Sequence, residues 1–308
     1  MQYRYIRIRP ISVFPELDSI KLFGAIFSAI SELYPEKLEK FQENTEKGHV
    51  RFSSAFPVLG DTYFFPKPFL CFKNDSIDES NREKMIKNYR YLKKFKDVTF
   101  ASKDIFEQII EKGSYDEDLL NRFRKENEIK GNYLISKKEK VPEIETIEEP
   151  KVTSNRFSQE TKIFYKEGVY YKNADLYFFV KANEENHKMI IAAIKFLEDR
   201  GFGAKHSLGF GQFTFIEEST MELNNDGERQ LILSKYMPTD EENSFIEWNN
   251  SFYQVKEIKG LTKSGFHIPP THIFIEGSCF ASDSIKGKLE KKIPNYILNG
   301  IVYAIKVK

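Results

Sequence analysis

One run constrains this chain more than any other: Arg200-Gly-Phe-Gly-Ala-Lys-His-Ser-Leu-Gly-Phe-Gly-Gln-Phe-Thr-Phe-Ile216. It holds Gly201, Gly203, Gly209 and Gly211, a Lys205-His206-Ser207 tip, and no acidic residue from Gly201 to Ile216. Glycine enters backbone regions with φ > 0 and lets another backbone or a ligand approach closely. Exposed N–H groups beside cations then make a phosphate cradle. The flanking pattern decides which cradle is possible. Asn186 to Asp199 places Met189, Ile190, Ala193, Ile194 and Leu197 on one helical face, and Gln212 to Ile216 alternates as a strand does. The run therefore goes from helix to strand, whereas dinucleotide and mononucleotide loops go from strand to helix. His206 also stands where a GxGxxG pattern needs its third glycine. Rossmann and Walker loops are excluded.

Composition sets looser bounds. At 308 residues the chain suits two ordinary domains, or one with a large insertion. Lys and Arg (47) balance Asp and Glu (46), so a case for nucleic acid rests on local clustering. Cys71 and Cys279 sit in apolar strand-like runs, as small core hydrophobes of a reducing compartment do. The N-terminus shows no apolar signal core, and no apolar run nears about twenty residues. These features predict a cytoplasmic protein without membrane contact.

Tyr3 to Arg9 alternates and is closed by Pro10, which predicts a strand with a basic outer face. Asp18 or Ser19 caps a helix with the stripe Leu22, Phe23, Ile26, Ile30 and Leu33, and Gly24 with Ala25 predicts a closely packed neighbour. A strand over Val50 to Phe56 and a turn at Pro57 to Asp61 follow. Pro66 and Pro68 keep the next run, Tyr63 to Phe72, out of a central sheet position. Helical, charged patterns then cover Arg82 to Lys96, Ile105 to Lys112 and Glu117 to Ile129. From Arg82 to Lys103 there are eight Lys/Arg against Glu83 and Asp97, with Tyr89, Tyr91 and Phe95 interleaved. That mixture suits a nucleic-acid backbone, although a solvated helical face is its commoner origin. Residues 136–151, acidic and proline-punctuated, read as a mobile loop. Ile163 to Lys166 and Val169 to Lys172, joined by Glu167-Gly168, read as a hairpin. Leu176 to Val180 reads as a buried strand. Past Glu222, strands are expected over Gln230 to Lys235, Tyr253 to Ile258, Thr271 to Phe280 and Ile301 to Val307, with a helix around Asp240 to Asn250. Strand, helix, strand, given twice, is the ferredoxin-like order.

Four segments together resemble one group. Leu17-Asp-Ser-Ile-Lys-Leu-Phe-Gly-Ala-Ile26 is similar to its helix start. Phe52-Ser-Ser-Ala-Phe-Pro57 with Tyr63-Phe-Phe-Pro-Lys-Pro68 is similar to its serine-rich strand and Pro-Lys-Pro turn. Asn155-Arg-Phe-Ser-Gln-Glu-Thr161 resembles its Asn-Arg motif, and the glycine run resembles its G-loop. Gly277-Ser278 and Asn299-Gly300 suit its C-terminal domain. The group is the RAMP superfamily of CRISPR-associated RNA-binding proteins, and more narrowly the subunit-four caps of type III-A (Csm) effector complexes. The likeness runs from Leu17 to Val307 and departs from the usual pattern at Ile20-Lys21, Ser158, Gln159 and Lys205-His206.

The resemblance implies an α+β chain of two ferredoxin-like (RRM-like) domains, residues 1–220 and 221–308. The first carries the Gly-rich loop, a mostly helical insertion at about residues 75–172, and a thumb hairpin that kinks the guide–target duplex. It implies a non-catalytic subunit that caps the 5′ tag of the crRNA. Such a cap meets target RNA indirectly and joins the large polymerase/nuclease-type subunit to the adjacent backbone RAMP subunit. The equivalent cap of a type III-B complex shares this fold.

Holding a single-stranded RNA end needs cations, aromatic faces and close backbone approach. Gly203, Lys205, His206, Ser207, Gly209 and Gly211 supply the first and third, although a tight helix-to-strand turn needs the same glycines. Arg156 offers a guanidinium fork to phosphate or base edges, or pairs with Glu160. Tyr165, Tyr170 and Tyr171 stack on bases or face the core. Ser19 and Lys21 donate to a phosphate or belong to a helix cap, and Lys67 on its stiff turn meets RNA or solvent. An unperturbed histidine is mostly neutral near pH 7, so Lys205 carries the tip's charge. His206 is the one histidine in a site-like context, which leaves open a metal-independent endoribonuclease acting on precursor RNA. His267 and His272 lack a third ligand, and Cys71 and Cys279 lack pair spacing, so no metal or cofactor is expected.

Overall fold

The computed structural model describes the chain except residues 74–81, 155–160, 204–208, 225, 262–266 and 294–295. Its first elements are β1 (Gln2–Pro10), α1 (Ser19–Leu33), α2 (Leu38–Glu46), β2 (Arg51–Phe52), β3 (Phe56–Leu59) and β4 (Thr62–Pro66). Next come α3 (Arg82–Lys96), β5 (Phe100–Ser102), α4 (Lys103–Lys112), α5 (Glu117–Glu126), β6 (Asn127–Lys130) and β7 (Tyr133–Ser136). The long strands β8 (Ile144–Ser154) and β9 (Thr161–Tyr171) lead to β10 (Asp175–Lys181), α6 (Glu184–Arg200) and β11 (Phe213–Glu222). The last part holds β12 (Arg229–Ile232), α7 (Asp240–Phe245), β13 (Val255–Leu261), β14 (His267–Phe274) and β15 (Cys279–Phe280). It ends with β16 (Leu289–Ile293), β17 (Tyr296–Asn299) and β18 (Ala304–Val307).

Alternation in β1 fixes the layering, because strand neighbours point to opposite faces. Ile6 and Ile8 face one core with Leu176, Phe178 and Val180 of β10. Onto this face pack α1, through Leu22, Phe23, Ile26 and Ile30, and α6, through Ile190, Ala193 and Ile194. Tyr5 points the other way, into a second core with Tyr177 and Phe179. That core is closed by Ile105, Phe106 and Ile109 of α4 and by Leu231, Ile305 and Val307 of the C-terminal part. Both faces of β1 are therefore buried, and its arginines are not a free basic face. Arg7 and Arg9 converge on Asp175, at 2.8 Å each.

The sheet order is β11-β1-β10-β3, with antiparallel neighbours, and it continues through β4, β5, β7 and β6. The βαββαβ order expected of the first part is thus present, with α1 against α6. The insertion is less helical than its charge pattern predicts. Its strands β5, β6 and β7 extend the sheet, and the helix expected to reach Ile129 stops at Glu126. β4 lies between β3 and β5, with Pro66 as its last residue opposite Phe100. A proline at a strand end removes no ladder bond that matters, which is why an interior place is tolerated. Gly24 is exposed, and a Cβ there would meet nothing within 4 Å, so the close neighbour expected at this glycine is absent from the described fold.

The second half of the acidic stretch expected to be a mobile loop, from Ile144 on, is β8, paired with β9 from Ile144↔Tyr171 to Ser154↔Thr161. Both tyrosine-rich runs lie on the single strand β9, so Glu167-Gly168 is no turn. The C-terminal part forms a three-stranded sheet, β15-β12-β18, and the hairpins β13–β14 and β16–β17. Among its described residues α7 is the one α-helix, where a complete ferredoxin-like unit has two. No described helix is long and apolar enough to cross a membrane.

Candidate nucleic-acid interface

The glycine run divides into a neck and a tip. All four of its glycines have positive φ, from +74° at Gly211 to +93° at Gly203. Gly201 ends α6, its N–H donating to the Leu197 carbonyl. A Cβ on Gly211 would lie 2.0 Å from the Phe202 carbonyl oxygen, where the two ends of the run cross. There the Phe202 N–H donates to Gly211 O at 2.8 Å, and the Gly211 N–H donates to Val13 O at 2.9 Å. Gly201 and Gly211 are thus required by backbone packing alone. Gly203 and Gly209 are exposed, and a Cβ on Gly209 would meet nothing within 4 Å. These two leave open backbone beside the tip. Lys205, His206 and Ser207 lie outside the described residues.

The base of the long hairpin is held by the same β1–α1 segment that holds the neck. Phe14 and Val169 exchange two backbone hydrogen bonds of 2.8 Å. A Cβ on Gly168 would lie 2.2 Å from Val13 Cγ1, so this glycine admits a neighbour rather than turning the chain. Tyr171 is partly buried against the α1–α6 core, and burial pushes its phenol pKa up. Tyr170, on the opposite face of β9, is 37% exposed and offers a free ring. Tyr165 stands opposite Pro150 in the register. Arg156 belongs to the connection between β8 and β9 and lies outside the described residues.

Beside the hairpin base runs a groove of about 1240 Å³. Its walls are the β1–α1 loop, the ends of β4 and α3, the β6–β7 turn, the hairpin base and the C-terminal part. Lys21, Lys67, Lys96, Lys130, Lys235 and Lys256 line it against Glu16, Asp18, Asp97 and Glu276. Lys21, on the rim, donates to Glu16 O at 2.9 Å and lies 3.5 Å from Asp18. Asp18 caps α1 by accepting from the Lys21 N–H. Ser19 is not that cap: its buried hydroxyl accepts from the Lys235 N–H at 2.9 Å, and its own N–H donates to Ser54 Oγ. The Ser54 hydroxyl and the Lys235 ammonium both donate to Glu276, the latter at 2.8 Å. This buried group joins the N- and C-terminal parts beneath the groove, and it occupies the serine that the sequence offers to a phosphate.

Lys67 is also turned inward. Only 7% exposed, its ammonium donates to the Phe95 and Lys96 carbonyls, the last turn of α3, and lies 4.8 Å from the Phe95 ring centroid. Burial lowers its pKa to about 8, partly offset by the Asp97 charge. A lysine here closes a helix C-terminus, where carbonyls lack partners and the dipole favours a cation. The Pro66-Lys67-Pro68 spacing gives no sign of this, since it does not show which helix end stands opposite.

No described trio of His, Cys, Asp and Glu is arranged to hold a metal. His187 is buried, its Nε2 2.6 Å from Glu218 of the edge strand β11, and it does not line the groove.

No protein-family model matches the chain. Two curated proteins do, both named CRISPR system Cms protein Csm4. The one from Thermococcus onnurineus is 28% identical over 238 residues, covering 75% of this chain and 72% of the relative. The one from Methanocaldococcus jannaschii is 27% identical over 282 residues, covering 80% and 73%. Among solved structures, a chain of the Csm3-Csm4 subcomplex in the type III-A CRISPR-Cas interference complex superposes with a TM-score of 0.69. Identity is 20%, and 99% of each chain is covered. A chain of a Csm1-Csm4 cassette in complex with AMPPNP gives 0.65 at 20% identity, covering 100% of this chain and 98% of that one. The fold is shared, and sequence and fold agree on the subunit that the four motifs resemble.

Proposed function

We propose that this chain, a relative of Csm4 proteins in sequence and fold, is the non-catalytic cap of a type III-A complex, holding the 5′ tag of the crRNA in the cytoplasm. The lysine-lined groove carries the reading. It passes the hairpin base at Gly168, Val169 and Tyr171 and reaches Pro15, which lies 3.8 Å from where a Cβ on Gly203 would stand, so a strand along it meets cations beside the hairpin and the open loop backbone. Lys205, His206, Ser207 and Arg156 are proposed as phosphate contacts, with Lys21, Lys130 and Lys256 along the groove. Ser19, Lys67, Gly211 and Tyr171 are assigned to its framework, because each is buried or packed against the core, whereas Lys21 is exposed on the rim.

The solved relatives come from complexes with Csm1 and with Csm3, which supports a bridge between a large subunit and a backbone subunit. The two-domain reading, 1–220 and 221–308, is retained with the second domain a degenerate ferredoxin-like unit. The test is binding of a tagged guide against an unrelated RNA of equal length, across a salt series. Preference for the guide and a steep fall with salt are expected. Equal binding of both, or a flat salt response, sinks the reading. Incubation with precursor RNA in chelator checks the absence of catalysis: cleavage that His206→Ala abolishes makes the chain an endoribonuclease instead.

A further inference from the structure

We propose that the outer face of α3 is a second contact for single-stranded RNA, continuing the path of a strand that leaves the groove. The observation is one of register. Successive helix residues turn by about 100°, so Ile86, Tyr89, Arg90, Lys93, Lys94 and Lys96 fall within one arc of about 160°. All six are exposed, Tyr89 at 71%. Phe95 lies at the centre of the opposite arc, fully buried, with Tyr91 and Leu92 packed beside it. The helix is therefore seated on one side only, and it presents four cations on the other. Among the described residues none of these four is in an ion pair. A helix without acidic partners for its cations gains nothing from such pairs, and an exposed tyrosine ring on it is left unused by the fold.

The occupant follows from charge and continuity. Cations spaced along a helix about 22 Å long match a chain of phosphates, and an aromatic ring among them matches a base face. The same helix ends in the groove wall, where Lys96 and Asp97 line it. Lys67 holds that end through the Phe95 and Lys96 carbonyls, so the outer face is fixed relative to the groove. This inference rests on the groove holding RNA.

The experiment uses the full chain and two labelled RNAs, one of about 8 nucleotides and one of about 16, within the site sizes of single-strand binders. Anisotropy is read across a salt series. Arg90→Ala/Lys93→Ala/Lys94→Ala should leave the short RNA's affinity unchanged and remove the gain of the longer one. Losing three contacts lowers the salt slope by about 2, at roughly 0.7 per phosphate on a single strand, or about 10- to 100-fold near 0.1 M salt. Tyr89→Ala should cost the longer RNA about tenfold with the slope unchanged. An unchanged gain in the triple variant overturns the proposal, as does an equal loss for both RNAs. Loss of a co-purifying protein subunit with the RNA gain intact overturns it too, and makes α3 a protein-docking face. If wild type binds the longer RNA but not the shorter, the groove reading fails, and the continuous path proposed here fails with it.

Discussion

Replacing Gly211 and Gly209 separately by alanine should split structural from functional glycines in the Gly-rich run. Both have positive φ, +74° and +79°, and an L residue held there costs about 1–2 kcal/mol. Gly209→Ala adds nothing more, since its Cβ would point into open space. Gly211→Ala must also move the Phe202 carbonyl, 2.0 Å from the new Cβ. That shift breaks the Phe202-to-Gly211 and Gly211-to-Val13 hydrogen bonds of 2.8 and 2.9 Å, at about 1 kcal/mol each. The expected losses are about 1–2 kcal/mol for Gly209→Ala and about 3–4 for Gly211→Ala. At roughly 2–4 °C per kcal/mol for chains of comparable size, calorimetry should separate the two by about 4–8 °C. RNA affinity should order the variants differently. A bulkier Gly209→Val should weaken binding beyond its effect on Tm, because it fills backbone space beside the tip. Equal melting temperatures for Gly211→Ala and Gly209→Ala would falsify the argument that the crossing of the neck, and not φ alone, demands a glycine at 211.

Two further expectations concern charge. Lys67 has a folded pKa of about 8 against an ordinary 10.5, so the unfolded chain holds the proton more tightly and stability rises with pH between those values. Between pH 7 and 9.5 the gain is about 2 kcal/mol; denaturant titrations should show it in wild type and not in Lys67→Met. Asp175 is the opposite case. Burial alone would raise it, but hydrogen bonds from Arg9 and Arg7 carry its carboxyl below the usual carboxylate range. Its contribution is present above the ordinary carboxylate pKa and is lost as pH falls through the folded value. Asp175→Asn should cost about 1–3 kcal/mol at neutral pH, since Arg7 keeps Glu217 at 3.7 Å and the amide oxygen still accepts a hydrogen bond, and should flatten the acid limb of the stability curve.

Much of the N-terminal part's framework was legible because α1 and α6 each bury one stripe, and the helix-to-strand order around the glycines fixed their place. The hairpin was not, for a physical reason. At Glu145 and Thr146 neighbouring residues of β8 are both exposed, so no core imposes alternation there, and Glu143, Glu145, Glu148 and Glu149 read as a loop. Gly168 looked like a turn because the approach of Val13, the cause of that glycine, comes from a segment about 150 residues away in sequence. β5 escaped notice because three residues cannot show a period. In the groove, Lys67 and Ser19 have the right chemistry for a phosphate and the wrong orientation, and their partners lie across the chain. Glu276, an acid following the apolar run Ile273 to Ile275, was the readable sign of a buried ion pair there.

The Ser12–Pro15 segment ties the Gly-rich loop to the hairpin. The Gln212 N–H donates to Ser12 Oγ, and Val13 accepts from Gly211. Phe14 pairs with Val169, and Pro15 lies 3.8 Å from where a Cβ on Gly203 would stand. Four consecutive residues therefore reach both the neck of the glycine run, as far as Gly203, and the base of the hairpin. Phe14 is fully buried and edge-on to Phe202 and Phe213, at 5.7 and 6.3 Å between centroids, so the segment has little freedom to slide. The capping role proposed above, holding one end of a strand in a fixed register, would need such rigidity more than any single cation. The neck glycines achieve it by letting two backbones cross at van der Waals distance, and this is why half of the loop's glycines belong to the framework of the interface rather than to its contact surface.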